Sequence, residues 1–290
     1  MYLIYFFLFL RIIINSINYI VVTYLSPELS SVSITITRVF ITSILIFIFF
    51  NKHIIWKKKH IIQSMILAFL GVILNQTLFI SGGSITIPAH TSVIYSTMPL
   101  LIYIISLFLK DEEFSLKRIF GILIAFTGIF LILYEKGFDI KGKYLIGDIT
   151  IFLGAISFSL YTVFGKRQKI FKSPTVMTLN ALFFGGILYT IIGFPLFYKD
   201  FSIKLFEIKN ISIILYFAIF TSIISHILWN KVVKDFNASL ASLIQNLQII
   251  VTTLLTMYLL DFKPGILFLI GSILTFLGIF IASKIKKTSL

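Results

Sequence analysis

The 290-residue chain contains no cysteine, which removes disulfides, thiolate chemistry and Cys-based metal sites. Charge is scarce, at 12% of residues against about 25% in soluble domains. Acidic charge is scarcest: Glu28, Asp111, Glu112, Glu113, Glu135, Asp148 and Asp261 all sit at the ends of apolar runs or between them, none deep inside one. A buried carboxylate relay for protons is therefore not expected. Neither the HExxH zinc pattern nor the GxxxxGK[ST] phosphate loop occurs. The parts for ATP-driven pumping and for metalloproteolysis are missing. No cofactor, no metal and no enzymatic activity are expected. The N-terminal run MYLIYFFLFL has neither a charged n-region nor a small-residue cleavage site. It reads as a retained helix, not a removed signal.

What the chain does have is hydrocarbon-like sequence, with 58% apolar residues. About 20 apolar residues span a bilayer as a helix. The pattern predicts an all-α integral membrane protein with ten helices, at 3–24, 32–50, 62–82, 88–109, 118–135, 147–165, 175–197, 211–230, 238–260 and 264–283. Turns are marked by Pro27, Gly82–Gly83 and Pro88. The net charge of +14 lies mostly between the runs, where it sets topology and does not point to nucleic acid. With a cytoplasmic N-terminus, 16 of the 25 Lys and Arg fall in inside segments and 7 outside. Both termini are then cytoplasmic, the loop at Lys57–Lys59 is inside and the loop near Lys141 is outside, in an inner (cytoplasmic) membrane.

The chain also repeats itself. Residues 126–130 read FTGIF and residues 276–280 read FLGIF, 150 positions apart. At the same offset Gly121 pairs with Gly271, Ser92 with Ser242, Ile94 with Ile244, Asp111 with Asp261 and Phe79 with Trp229. Two units are expected, 1–140 and 145–287, each with five helices. An odd number of spans inserts the second unit upside down, giving two inverted five-helix repeats. Inverted repeats around a midplane site build alternating-access transporters.

The segment 67–133 resembles the EamA repeat of the drug/metabolite transporter superfamily. The resemblance rests on the small and hydroxylated run Ala89 to Ser92, Pro99 inside the fourth helix, Glu112 at its end, and Gly121 with Gly128 in the fifth. Arg38 occupies the place of an arginine common in that family. Three features depart from the pattern. Asn15–Ser16 stands where Trp-Gly is usual, Ile249 stands opposite Pro99, and Phe262 stands opposite Glu112. The resemblance implies a secondary transporter moving a small organic metabolite (an amino acid, related compound or drug) outward by alternating access. It also implies that the fourth and ninth helices line a central cavity. A non-transporting sensor or assembly partner with the same fold is the alternative.

Polar groups inside spans mark the candidate site, because they tend to face a bundle interior or a water-filled cavity. Arg11, Asn15 and Asn18 share one helical stripe at i, i+4 and i+7; for Arg11 the interior and a snorkelled position at the surface both stay open. Asn75 and Gln76 align with Ser225 and His226 at the repeat offset, and Tyr95 aligns with Gln245. The substrate-binding set is Asn15, Asn18, Arg38, Asn75, His90, Thr91, Tyr95, His226, Trp229, Ser242 and Gln245, with interhelical hydrogen bonding as the competing role for each. The partners are a small-molecule substrate and the lipid bilayer, with no nucleic acid; homodimerisation stays open.

Overall fold

In the computed structural model the described residues are 2–25, 30–83, 85–86, 88–135, 144–199, 201–260 and 265–283. The side chains of Asn18 and His90, the loop near Lys141, and Asp261 with Phe262 lie outside what is described. The fold is all-α and multi-spanning. Helix α1 runs Tyr2–Leu25, α2 Ser31–Phe50, α3 Lys58–Gly83, α5 Leu116–Glu135, α6 Leu145–Arg167, α7 Pro174–Lys199, α8 Ile208–Asp235 and α10 Ile266–Ser283. Helix α4 comes in two pieces, Pro88–Ser96 and Met98–Phe108, and so does α9, as Ala238–Gln245 and Leu247–Leu260. Among the described residues nine helices are long and apolar enough to cross a membrane, and Tyr2–Ile17 of α1 is a shorter apolar stretch. The outer surface carries large exposed apolar side chains such as Phe47, Phe49, Phe276 and Phe280. Lipid tails are as apolar as these residues, so what binds the helices to each other is close packing and hydrogen bonding.

Close packing depends on small residues. Helices α5 and α10 cross with Gly121 against Gly278 and Ala282, and Gly128 against Gly271 and Thr275. A Cβ at any of these four glycines would run into backbone or the opposing side chain. The residue numbers descend on one helix as they ascend on the other, so α5 and α10 are antiparallel. The same holds for α2 against α7, where Gly186 sits on Val39 and Ser43 while Gly193 sits on Ile36. It holds again for α3 against α6, where Gly82 meets Gly147 and Gly71 meets Tyr161.

Two helices break and two bulge. The α4 break is tightened by Thr97 N–H bonding the Ile94 carbonyl and Leu100 N–H bonding the Thr97 carbonyl, both i→i−3. Pro99, just beyond, has no N–H to return to the Tyr95 carbonyl. The α9 break has the same form, with Asn246 N–H to Leu243 and Ile249 N–H to Asn246, though it lacks proline. The broken helices meet where Asn246 Nδ2 donates to the Ser96 carbonyl at 3.1 Å. In α3 the residues Phe69–Leu74 form a π turn, as do Phe217–Ile224 in α8. Such turns carry one extra residue and are frequent at functional sites.

Asp148, whose place after Gly147 at the start of the sixth apolar run suggests a helix cap, does not hold that position in α6. The cap position belongs to Tyr144, and Asp148, one turn in, accepts the Thr86 hydroxyl at 2.5 Å.

Candidate functional site

The two π turns face one cavity of about 170 Å³. Helix α3 contributes Gly71 and Val72 from its π turn, then Asn75 and Gln76; α8 contributes Thr221 and Ser222 from its own, then Ser225 and His226. Each α3 residue has its α8 counterpart at the 150-residue offset. Arg11 and Asn15 enter from α1, Arg38, Val39 and Thr42 from α2, and Phe158 and Leu182 complete the wall from α6 and α7.

Backbone carbonyls loosened by the π turns find side-chain donors. The Leu70 carbonyl accepts from Ser157 Oγ at 2.8 Å, and the Thr221 carbonyl lies 3.1 Å from His226 Nδ1. A carbonyl can only accept, so Nδ1 of His226 carries a proton there. Gly71 is small because the Tyr161 ring occupies the place its Cβ would take.

Two guanidinium groups dominate the electrostatics. Arg11 is buried, lies 4.4 Å from the centroid of the Trp229 ring and donates from Nε to the Ser225 carbonyl at 3.3 Å. Arg38 donates from Nη2 to Gln76 Oε1 at 3.1 Å. Arg11 Nη1 and Arg38 Nε are buried without a hydrogen-bond partner. No carboxylate is among the residues that line the cavity. The ion pairs Arg118–Glu112 and Arg167–Asp111 lie at the helix ends and outside the cavity lining.

Of the residues singled out by sequence, Asn15, Arg38, Asn75 and His226 lie together on the wall. Tyr95 stands behind it, its hydroxyl accepting from Asn75 Nδ2 at 2.8 Å while Asn75 also donates to the Gly154 carbonyl. Trp229 is buried beneath Arg11, its indole N–H donating to Thr162 Oγ1 at 3.2 Å. Ser242 is buried in the first half of α9, Thr91 is half-buried in α4, and Gln245 donates to Gln248 Oε1; none of the three borders the cavity. The described wall is thus built by α1, α2, α3, α6, α7 and α8 and not by α4 and α9, whose broken midpoints close on each other through Asn246 and Ser96. Thr42, Thr221, Ser222 and the π turns went unmarked, since a π turn has no compositional signature. Arg11 shared a helical stripe with Asn15, and that stripe was the signal for it.

At the other end of α4 a second polar cluster forms. Lys110 takes a left-handed conformation (φ 58°), and Asp111 N–H reaches back to the Ser106 carbonyl, the pairing that ends many helices. The turn delivers Glu112 to the start of α9, where its carboxylate accepts from Ser239 N–H at 3.1 Å and from Ser239 Oγ and Arg118 Nη1 at 2.6 Å each.

Comparison with known proteins agrees with this architecture. The model of the EamA-like transporter family matches residues 2–134 and 145–284. An uncharacterized transporter of Archaeoglobus fulgidus is 28% identical over 263 residues, covering 88% of this chain and 90% of that protein. The uncharacterized transporter YyaM of Bacillus subtilis is 27% identical over 241 residues, covering 79% and 75%. An S-adenosylmethionine uptake transporter of Rickettsia prowazekii is 24% identical over 194 residues, covering 64% and 61%. One solved crystal structure superposes with a TM-score of 0.78 over 96% of this chain and 95% of its own at 18% identity, a likeness of fold.

Proposed function

The chain belongs to the EamA-like transporter family, a family of small-molecule transporters, and from that premise we propose that it is an alternating-access carrier with its substrate site in the cavity between α1–α3 and α6–α8. One observation carries the reading. Both π turns open onto that cavity at positions 150 residues apart. The antiparallel pairing of α5 with α10 and of α2 with α7 supports two inverted repeats, 1–140 and 145–287, that rock about this site. The Lys and Arg bias supports cytoplasmic termini in the inner membrane.

Movement follows the substrate's own gradient or proceeds by exchange. A coupled proton normally rides on a buried carboxylate or histidine. The wall presents no carboxylate among its described residues, which leaves His90 and His226 as the candidate carriers. Their replacement by Gln is the check on any accumulation driven by a pH gradient. For a metabolite made inside the cell that direction is outward. The test is counterflow in proteoliposomes preloaded with a mixed metabolite pool. Labelled substrate should enter against unlabelled substrate and stop entering when Asn75→Ala or Ser225→Ala is introduced. Absence of any exchange from a folded, reconstituted protein would leave a sensor or assembly role as the better reading.

A further inference from the structure

The cavity wall carries two cations and, among its described residues, no carboxylate, and several of its acceptors are already engaged. Asn15 Oδ1 already accepts from Ser225 Oγ, Gln76 Oε1 from Arg38, the Ser225 carbonyl from Arg11, and the Thr221 carbonyl faces His226 Nδ1. Against these engaged acceptors stand Arg11 Nη1 and Arg38 Nε, buried donors of two permanent cations with nothing to donate to. An ammonium group entering this space would meet like charge, with only neutral acceptors such as Asn75 Oδ1 and His226 Nε2 to offset it. An oxyanion would meet the opposite charge of two guanidinium groups that line the space. Guanidinium keeps its charge at every physiological pH and pairs with carboxylate in fork geometry.

On the reading that this cavity is the transport site, we infer that its substrate is a small organic acid, bound through a carboxylate bridging Arg11 and Arg38. Two guanidinium groups, one from α1 and one from α2, line the space, and the planar fork of each suits the two oxygens of a carboxylate. The volume of about 170 Å³ is below the roughly 300–1,000 Å³ of sites for drug-sized ligands. It admits a compact acid and excludes a nucleoside-sized molecule. Size and net charge, not the carboxylate itself, separate such an acid from S-adenosylmethionine, the ligand in the name of one relative, which is nucleoside-sized and carries sulfonium and ammonium charge beside its carboxylate.

Trp229 offers a direct reporter, since the Arg11 guanidinium lies on its ring at 4.4 Å. The chain has two tryptophans, and Trp56 packs on Phe183 and Phe184 away from the cavity, so a Trp56→Phe background isolates the signal. In nanodiscs this protein is titrated with sodium pyruvate, sodium succinate, glycerol 3-phosphate, alanine and choline. Pyruvate or succinate should change Trp229 emission saturably. Arg11→Gln and Arg38→Gln should each weaken that binding about tenfold or more, the loss of one charge-assisted pair. Arg38→Lys, which keeps the charge, should lose less than Arg38→Gln. Monodisperse elution on size exclusion separates a binding defect from misfolding.

Preference for alanine or choline, or equal affinity in wild type and both Gln variants, overturns the inference. So does the absence of response to every probe. Binding of glycerol 3-phosphate without binding of either carboxylate assigns the pair of arginines to phosphate and overturns the carboxylate. Counterflow on the same preparations keeps the two readings apart. Exchange of alanine or choline but not of acids leaves the transporter standing and the acid refuted. Arginine-dependent binding of acids with no exchange of any probe leaves the acid site standing and refutes transport.

Discussion

Glu112 shows how much a single side chain can hold in this molecule. Its side chain is 1% exposed, and its carboxylate serves Arg118, Ser239 N–H and Ser239 Oγ together. Removing one member of a buried pair costs about 3–5 kcal/mol, because the other charge stays behind unpaired. Glu112→Ala should therefore lower the melting temperature of the detergent-solubilised protein sharply. The double variant Glu112→Ala with Arg118→Met should recover part of the loss. Additive losses in that cycle would mean the pair is not coupled. The sequence marked Glu112 through its family place and left its job open. The job depends on Lys110 turning the chain through φ 58° and on α9 beginning nearby, neither of which is local to the residue.

Among the elements, helix positions were legible because hydrocarbon length and apolar composition fix them. The sequence reading of 32–50 and the helix Ser31–Phe50 differ by one residue at one end. Interruptions inside helices were legible only where proline stood. Pro99 flags the α4 break, whereas the α9 break at Asn246 has no such residue. The π turns were silent as well, though they aim the wall of the site. Deleting Phe69 should let α3 run as a regular helix, which keeps Asn75 and Gln76 near their register. The deletion draws in the bulge that presents Gly71 and Val72 to the cavity and leaves the Leu70 carbonyl free for Ser157. Ligand binding should vanish from a protein that still inserts and elutes as one species; retained binding would show that the π turn does not aim the wall. The glycine crossing is a separate matter of fit. Gly128→Leu drives a side chain into the Gly271 carbonyl and Thr275 and should cost about 1–3 kcal/mol or more of thermal stability. Gly83, with open space where its Cβ would go, is the control, and Gly83→Ala should melt like wild type.

At the scale of the whole molecule, topology can be tested with little effort because the chain has no cysteine to remove. A single cysteine at Lys57 should resist an impermeant maleimide applied to intact cells, and one at Lys204, between α7 and α8, should react. Labelling of Lys57→Cys from outside would reverse the orientation. The candidate site was half legible. The 150-residue offset paired Asn75 with Ser225 and Gln76 with His226, and all four line the cavity. The offset could not show that α4 and α9 spend their midpoints on each other, nor that Arg11, ten residues into α1, turns inward onto Trp229.

The bond from Asn246 to the Ser96 carbonyl joins residues 150 apart, so each stands where the other would stand if the halves were exchanged. A backbone carbonyl is an acceptor that every residue carries, so what differs between the two positions is the side chain. Asn246 spends its amide across the contact, while Ser96 turns its hydroxyl to the Val93 carbonyl at 2.6 Å. The contact between the two broken helices is therefore one-directional: α9 supplies the donor and α4 the acceptor, so any motion that parts their midpoints strands a polar group on each side.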